Sequence, residues 1–306
     1  MVECLEVKQR KHHFAHMHME ESIRRGLADY LGFDSAAIQL RSIGGGSINH
    51  AFRADDGRQE VFIKANHAHR YPGMFEAEAK GLDMLRRAGA FFVPEVYFAY
   101  AEGDWSMIAM EFIPTGAPKS GFSEEFAQAL LSLHEQTNDH FGLDHDNYIG
   151  SLPQSNSPHG SWVDFFRLER VEPQLMRAID GGLMDKESMK SLERIFNRLD
   201  VFFPPHMPAL LHGDLWSGNY MVAASGGPVI MDPAVYYGHP LMDLGMMRLF
   251  GGFDPDIFDH YVRSRGWGSD WMAGAELANL YPLLVHVNLF GGGYVHQVQQ
   301  LIQRFA

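Results

Sequence analysis

The sequence predicts an α+β protein in two lobes, a small antiparallel β-sheet lobe followed by a larger, mainly helical one. Three observations predict it. Residues 38–64 carry short strand-like runs separated by Gly44-Gly45-Gly46 and by Asp55-Asp56-Gly57. Beyond Pro118 the apolar spacing is mainly helical. Between the two patterns, Pro114 to Pro118 breaks both and marks the boundary.

The elements follow in order. Met19 to Leu31 reads as a helix stopped by Gly32. Ile38–Ile43, Ala51–Arg53 and Glu60–Lys64 read as strands of one meander, with Lys64 at the end of the third. Met74 to Ala88 places Phe75, Leu82 and Leu85 on one helix face and stops at Gly89. Val96–Tyr100 and Ser106–Phe112 are two further strands around the turn Glu102-Gly103-Asp104. Helices are expected over Ser123–Glu135, Trp162–Ile179, Lys186–Leu199, Asp256–Ser264 and Met272–Phe290. The expected organisation is an N-terminal extension over 1–19, a β-rich lobe over 20–113 and a helical lobe over 114–306. This is the outline of a two-lobed protein-kinase-like fold.

Composition narrows the function. A formal charge of −13 argues against nucleic acid or an anionic membrane as the main partner. Cys4 is the single cysteine, so no internal disulfide forms, which suits a cytoplasmic protein. No apolar run reaches the roughly 18 residues of a spanning helix, and Met1 to Met19 does not read as a secretory leader. That stretch holds His12, His13, His16 and His18 without a familiar ligand spacing, and it reads as a solvated, frayed segment rather than a metal site.

The chemistry concentrates in His212-Gly213-Asp214-Leu215-Trp216-Ser217-Gly218-Asn219 and Asp232, which follows Val229-Ile230-Met231. An Asp, an Asn five residues on, and a second Asp among apolar residues is the order of a kinase phosphotransfer site. Asp214 is the candidate base for an acceptor hydroxyl, and Asn219 and Asp232 are the candidate Mg²⁺ ligands. Mg²⁺ is a hard ion that prefers such oxygens. An Asp-Gly turn followed by a capping Asn explains each residue singly but not the joint spacing. His212 reads as a scaffold residue of this loop. Asp243, at the start of an apolar helix, reads both as a helix cap and as a buried brace.

Upstream, Gly44-Gly45-Gly46-Ser47-Ile48-Asn49 departs from G-x-G-x-x-G by placing Asn49 at the third glycine position. Asn tolerates positive φ better than other residues with a Cβ, so the loop can still offer backbone N–H groups to phosphates. Lys64 is the candidate for the ATP α- and β-phosphates, held by a glutamate on the following helix. Glu76 and Glu78 are both available, and Glu78 lies nearer the apolar face. The strand end Met110-Glu111-Phe112 would offer backbone groups to adenine. Trp216 has two readings, a flat face for a sugar ring or a residue packed under the loop.

The wording of these segments resembles the fructosamine kinase (ketosamine-3-kinase) family. The resemblance rests on the 212–219 loop, on Asp232-Pro233-Ala234-Val235-Tyr236-Tyr237-Gly238-His239, and on Asp243 with Leu249-Phe250-Gly251-Gly252-Phe253. It extends to the glycine loop, Phe75 with Glu78, Phe141-Gly142, and Pro153-Gln154-Ser155-Asn156 with Trp162. It implies an ATP- and Mg²⁺-dependent kinase acting on the 3-hydroxyl of a small-molecule or protein-bound ketosamine, an adduct of a sugar and an amine. The 3-phosphate would then eliminate and release the amine, which is deglycation. Under the resemblance Trp216 is a sugar platform. Many relatives have Cys where this chain has Ser47, so disulfide control of the glycine loop is not expected. The alternatives are an aminoglycoside- or choline-type phosphotransferase of the same fold, and a catalytically silent nucleotide-binding scaffold.

Overall fold

The computed structural model describes the backbone of residues 2–44 and 48–306, and the side chains of residues 17–44 and 48–306. The chain forms two compact units. The first comprises residues 1–83 and 94–113, the second residues 84–93 and 114–306.

In the first unit, α1 runs from Val2 to Leu31 and ends at Gly32, whose φ is +67°. The helix begins well before the expected Met19, because no proline interrupts residues 2–31. Met19, Ile23 and Leu27 recur every four residues and are fully buried, so α1 presents one apolar stripe. Burying each contributes about 1.5–3 kcal/mol. They join Ile63, Ala65 and Met107 of the sheet in one core.

The sheet comprises β1 (Gln39–Ile43), β2 (His50–Asp55), β3 (Glu60–His67), β4 (Val96–Glu102) and β5 (Trp105–Glu111). Its order is β1-β2-β3-β5-β4, and every neighbouring pair is antiparallel. Side chains alternate between faces along a strand. Ile63 and Ala65 therefore enter the core under α1, while Lys64 and Asn66 take the opposite face. Lys64 does not end its strand, because the pairing with β5 continues to His67 opposite Trp105. Helix α2 (Met74–Ala88) follows β3 and has the expected bounds.

The second unit is mostly helical. It contains α3 (Phe122–His134), the hairpin β6 (Asn147–Ile149) and β7 (Leu152–Gln154), then α4 (Trp162–Phe165). A π-helical turn over Phe166–Val171 leads into α5 (Glu172–Asp180), so the expected helix over 162–179 carries a widened turn. Next come α6 (Glu187–Phe196), α7 (Leu199–Phe202), β8 (Ala209–Leu211), β9 (Tyr220–Val222), β10 (Pro228–Ile230) and β11 (Tyr236–Gly238). Helices α8 (Leu241–Leu249), α9 (Pro255–Arg265), α10 (Trp271–Ala278), α11 (Leu280–Phe290) and α12 (Gly293–Phe305) complete it. The single helix expected over 272–290 is two, meeting at the buried Asn279.

Two short ladders frame the loops that matter. β8 pairs with β11, Leu211 opposite Tyr236, and β9 pairs with β10, Tyr220 opposite Ile230. Residues 212–219 thus leave β8 and return into β9. Residues 231–235 leave β10 and enter β11.

Candidate active site

In the first unit, Lys64 and Glu78 form a buried ion pair. Lys64 Nζ lies 2.6 Å from Glu78 Oε1, with side chains 7% and 10% exposed. The amine also sits 5.9 Å from the ring centroid of the buried Phe75. Strand alternation turns Lys64 toward this face, and Glu78 lies three residues past Phe75 on α2. Removing either partner would strand a charge in low dielectric.

Of the glycine loop, Gly45, Gly46 and Ser47 lie outside the described residues. Gly44 precedes them just after β1, and Asn49 follows just before β2, without the positive φ considered for it. Asn66, two residues past Lys64 on the same face, donates Nδ2 to Asn49 Oδ1 at 3.0 Å. At the far end of β5, Met110 is buried and Phe112 carries the Arg53 guanidinium 4.7 Å from its ring centroid. The Glu111 N–H is donated to Glu95 O at 2.8 Å, so it is not a spare donor for a ligand.

In the second unit, the loop after β8 is fixed from beneath by Asp243 on α8. The His212 N–H donates to Asp243 Oδ2 at 2.8 Å, and the Gly213 N–H donates to Oδ1 at 2.9 Å. His134 on α3 adds an Nε2–H bond to Oδ2 at 3.3 Å and accepts the Tyr261 hydroxyl at 2.7 Å on Nδ1. Burial alone raises the Asp243 carboxyl, but the His134 hydrogen bond and the Gly213 N–H hold it below its ordinary value. It remains an ionised acceptor. Burial lowers His134, which stays neutral.

His212 is a brace with a defined tautomer. A carbonyl can only accept, so Nε2–H donates to Met231 O at 2.9 Å, and Nδ1 accepts the Asp214 N–H at 3.2 Å. Burial lowers its pKa and keeps it neutral. His239 repeats the pattern, donating Nε2–H to Pro204 O at 3.0 Å and accepting the Leu241 N–H on Nδ1 at 3.2 Å. Burial pushes it down to about 3.

Asp214, Asn219 and Asp232 form one bonded set. Asn219 donates Nδ2 to Asp214 O at 2.8 Å, to Asp214 Oδ2 at 3.0 Å and to Asp232 O at 3.3 Å. Although Asp214 as a residue is half-buried, desolvation pushes its carboxyl well above the usual carboxylate range. The Asn219 N–H opposes that shift, and the charges of Asp232 and Asp243 add to it. Asp232 has φ +54°, the single positive φ outside glycine among the described residues. Such a backbone marks a position held by its surroundings. Gly213, at φ +82°, must be glycine, because a Cβ there would overlap Ala234 O.

This donor set suits a magnesium ion. All three Asn219 bonds use Nδ2, one of them to the backbone carbonyl of Asp232, which leaves the amide oxygen as an acceptor for a hard cation. No cluster of three or more His, Cys, Asp or Glu able to hold a metal occurs among the described residues. Magnesium in phosphotransfer sites is bound through one or two carboxylates plus substrate phosphates, so a two-residue set is in keeping.

Trp216 packs against its own loop and stays partly exposed. Its indole folds back over Gly218, where a Cβ would overlap the ring, yet the residue is 40% exposed. Phe250 meets it edge-on, with centroids 6.3 Å apart, and His286 lies tilted against Phe250 at 4.9 Å.

Comparison with known proteins identifies the lineage. The family model for fructosamine kinase matches residues 19–306. The chain belongs to the fructosamine kinase family. A relative named "Probable ketoamine kinase" from Enterococcus faecium is 37% identical over 264 residues, covering 85% of this chain and 93% of its own. A crystal structure from Thermobifida fusca, assigned as a fructosamine-3-kinase, is 32% identical with a TM-score of 0.81, covering 92% and 97% of the two chains. One from Haemophilus somnus, with the same assignment, is 26% identical with a TM-score of 0.84, covering 94% and 97%. Aminoglycoside phosphotransferase APH(4)-Ia, at 15% identity and a TM-score of 0.63, shares the kinase-like fold.

Within this fructosamine kinase family member, two groups of site residues escape a reading by motif. His134 and Tyr261 stand 109 and 18 residues from the Asp243 they support, and no local spacing links them. Gln154 and Asn156 belong to a segment whose wording marks the family but whose role is visible only in the folded chain.

Proposed function

We propose that this protein transfers the γ-phosphoryl group of ATP to the 3-hydroxyl of a ketosamine. The observation that carries the reading is the Asn219 amide joining Asp214 to Asp232 above the buried Asp243, in a chain of the fructosamine kinase family. Bound magnesium, held by Asn219 and Asp232, would offset the charge of the ATP phosphates. Asp214 orients the acceptor hydroxyl and takes its proton, and the raised pKa suits it to hold that proton. Lys64, fixed by Glu78, meets the α- and β-phosphates. The loop from Gly44 to Asn49 offers backbone N–H groups to the phosphates, and Met110 to Phe112 border the adenine. Trp216 offers its exposed face to the sugar ring. Catalysis is then mainly positioning and electrostatic stabilisation.

The resulting 3-phosphate loses inorganic phosphate by elimination and releases the amine on hydrolysis, which makes the activity a deglycation. No helix among the described residues is long and apolar enough to cross a membrane. We assign the activity to the cytoplasm, where ATP is abundant and Cys4 stays reduced.

The test is a substrate panel. Purified protein with ATP and Mg²⁺ is given fructosyl-lysine, ribulosyl-lysine, an aminoglycoside and choline, and the phosphate position in the product is assigned by NMR. Turnover of a ketosamine with phosphate on O3 is expected. Turnover of the aminoglycoside or choline with neither ketosamine consumed overturns the reading.

A further inference from the structure

The segment Asp232-Pro233-Ala234-Val235 is gripped from one side by a buried chain of carboxamides. Asn147 Nδ2 donates to Val235 O at 2.8 Å, and Gln154 Nε2 donates to Ala234 O at 3.2 Å. Gln154 Nε2 also donates to Asn147 Oδ1 at 2.7 Å, and Asn156 Nδ2 donates to the same oxygen at 3.0 Å. All three carboxamides are buried.

The far end of the chain is a charge. Arg170, fully buried in the π-helical turn, donates to Asn156 Oδ1 at 2.6 Å and to Ser155 O at 2.6 Å. Its guanidinium lies 4.0 Å from the ring centroid of Tyr236 and 4.4 Å from that of Phe165. Arg170 makes no ion pair among the described residues, so carbonyl oxygens and ring faces alone offset a fully buried cation. Such burial is costly unless the group is held for a reason.

The reason lies in direction. A guanidinium only donates and is always protonated. Asn156 must therefore turn Oδ1 to Arg170 and Nδ2 to Asn147. Asn147 must then accept on Oδ1, which leaves Nδ2 for Val235 O. Gln154 Nε2 faces only acceptors, Asn147 Oδ1 and Ala234 O, so Oε1 points away from them and the Tyr281 hydroxyl anchors it by donating at 2.6 Å. Every amide is thereby fixed in the one orientation that pulls on the two carbonyls just past Asp232. Ala234 is held on its other side by its own N–H bond to His212 O at 2.9 Å.

We propose that Arg170 and Tyr281 are positioning residues that act through Asn156, Asn147 and Gln154 to hold Asp232 in its left-handed backbone, ready to bind the divalent cation. The proposal rests on the kinase reading above. It gives a task to the Gln154-Ser155-Asn156 segment, whose side chains reach neither Asp214 nor Asp232.

Two nearly isosteric variants test it. Tyr281→Phe removes one hydroxyl and leaves the ring packing, so Gln154 Oε1 loses its donor and the amide its anchor. Asn156→Asp keeps an acceptor for Arg170, even gaining a charge partner, but sets a second acceptor against Asn147 Oδ1. Mn²⁺ binding is measured by electron paramagnetic resonance with AMP-PNP as the nucleotide, alongside thermal melts. Each variant is expected to weaken Mn²⁺ by about ten-fold, the usual effect of losing a group that orients a metal ligand. A merely structural network would lower the melting temperature and leave Mn²⁺ binding alone. Mn²⁺ affinity in folded Tyr281→Phe within about two-fold of wild type overturns the proposal, whatever Asn156→Asp does. Should the wild type itself take up no Mn²⁺ with the nucleotide, the kinase reading fails and the proposal with it.

Discussion

Asn219 donates one amide nitrogen both to the Asp214 carboxylate, at 3.0 Å, and to the Asp232 carbonyl, at 3.3 Å. One side chain therefore sets the spacing between the candidate base and the candidate metal ligand. Replacing Asn219 with Ala would remove the candidate metal oxygen and both tethers at once. Turnover should fall by about 10²-fold or more, with a weakened Mg²⁺ requirement curve, read by titrating Mg²⁺ at fixed ATP.

Asp214→Asn separates catalysis from stability. Loss of a general base costs about 10²–10⁴-fold in turnover. Because the folded protein holds the Asp214 proton above the ordinary carboxyl value of 3.8, it binds more protons than the unfolded chain just above that pH. The carboxyl therefore subtracts stability as pH rises through that window. Asp214→Asn should raise the melting temperature at neutral pH, and the gain should shrink as pH approaches 4. A lower melting temperature at neutral pH, measured by calorimetry, would contradict the desolvation argument.

The buried histidines act in the opposite direction. His134, His212 and His239 are all lowered from 6.5 by burial, His239 to about 3. The unfolded chain binds more protons than the folded one below pH 6.5, so their contribution is present above that value and lost as pH falls. Thermal melts between pH 7.5 and 5 should show a steady decline. Each such histidine contributes at most about 1.4 kcal/mol per pH unit. A flat profile over that range would show that these imidazoles take up protons without cost.

The Asp243 carboxylate holds two buried backbone N–H groups. Asp243→Ala leaves both without an acceptor, and His134 without its own. A loss of about 3–5 kcal/mol is expected in urea unfolding, together with loss of turnover. Asp243→Asn keeps one acceptor oxygen and should fall between that variant and wild type.

Lys64 and Glu78 should behave as a coupled pair. Lys64→Met alone strands Glu78 in the interior and should cost about 3–5 kcal/mol. Adding Glu78→Leu should recover much of that stability while phosphotransfer stays lost. A double-mutant cycle in stability with no coupling would remove the pair as a structural unit.

Legibility in the sequence followed locality. The meander of β1 to β3, the bounds of α2 and the set Asp214, Asn219, Asp232 and Asp243 were readable because each rests on short spacings with a chemical reason. Lys64 is expected at a strand end because the apolar run 61–63 stops there, whereas the pairing continues to His67. The fold buries Asn66 as a tether for Asn49. The three-residue strands β6 to β11 are too short for their alternation to show in the sequence. The π-helical turn leaves the composition of a helix unchanged. His134 and Asp243, or Gln154 and Tyr281, are partners separated by more than a hundred residues, and one sequence carries no trace of such pairing.

The indole lying across Gly218 also constrains how this chain can change over generations. A lineage that first shortens Trp216 gains room for any small residue at 218. A lineage that first adds a methyl at 218 displaces the ring before anything replaces it. Substitutions at the two positions are therefore ordered, with 216 changing first.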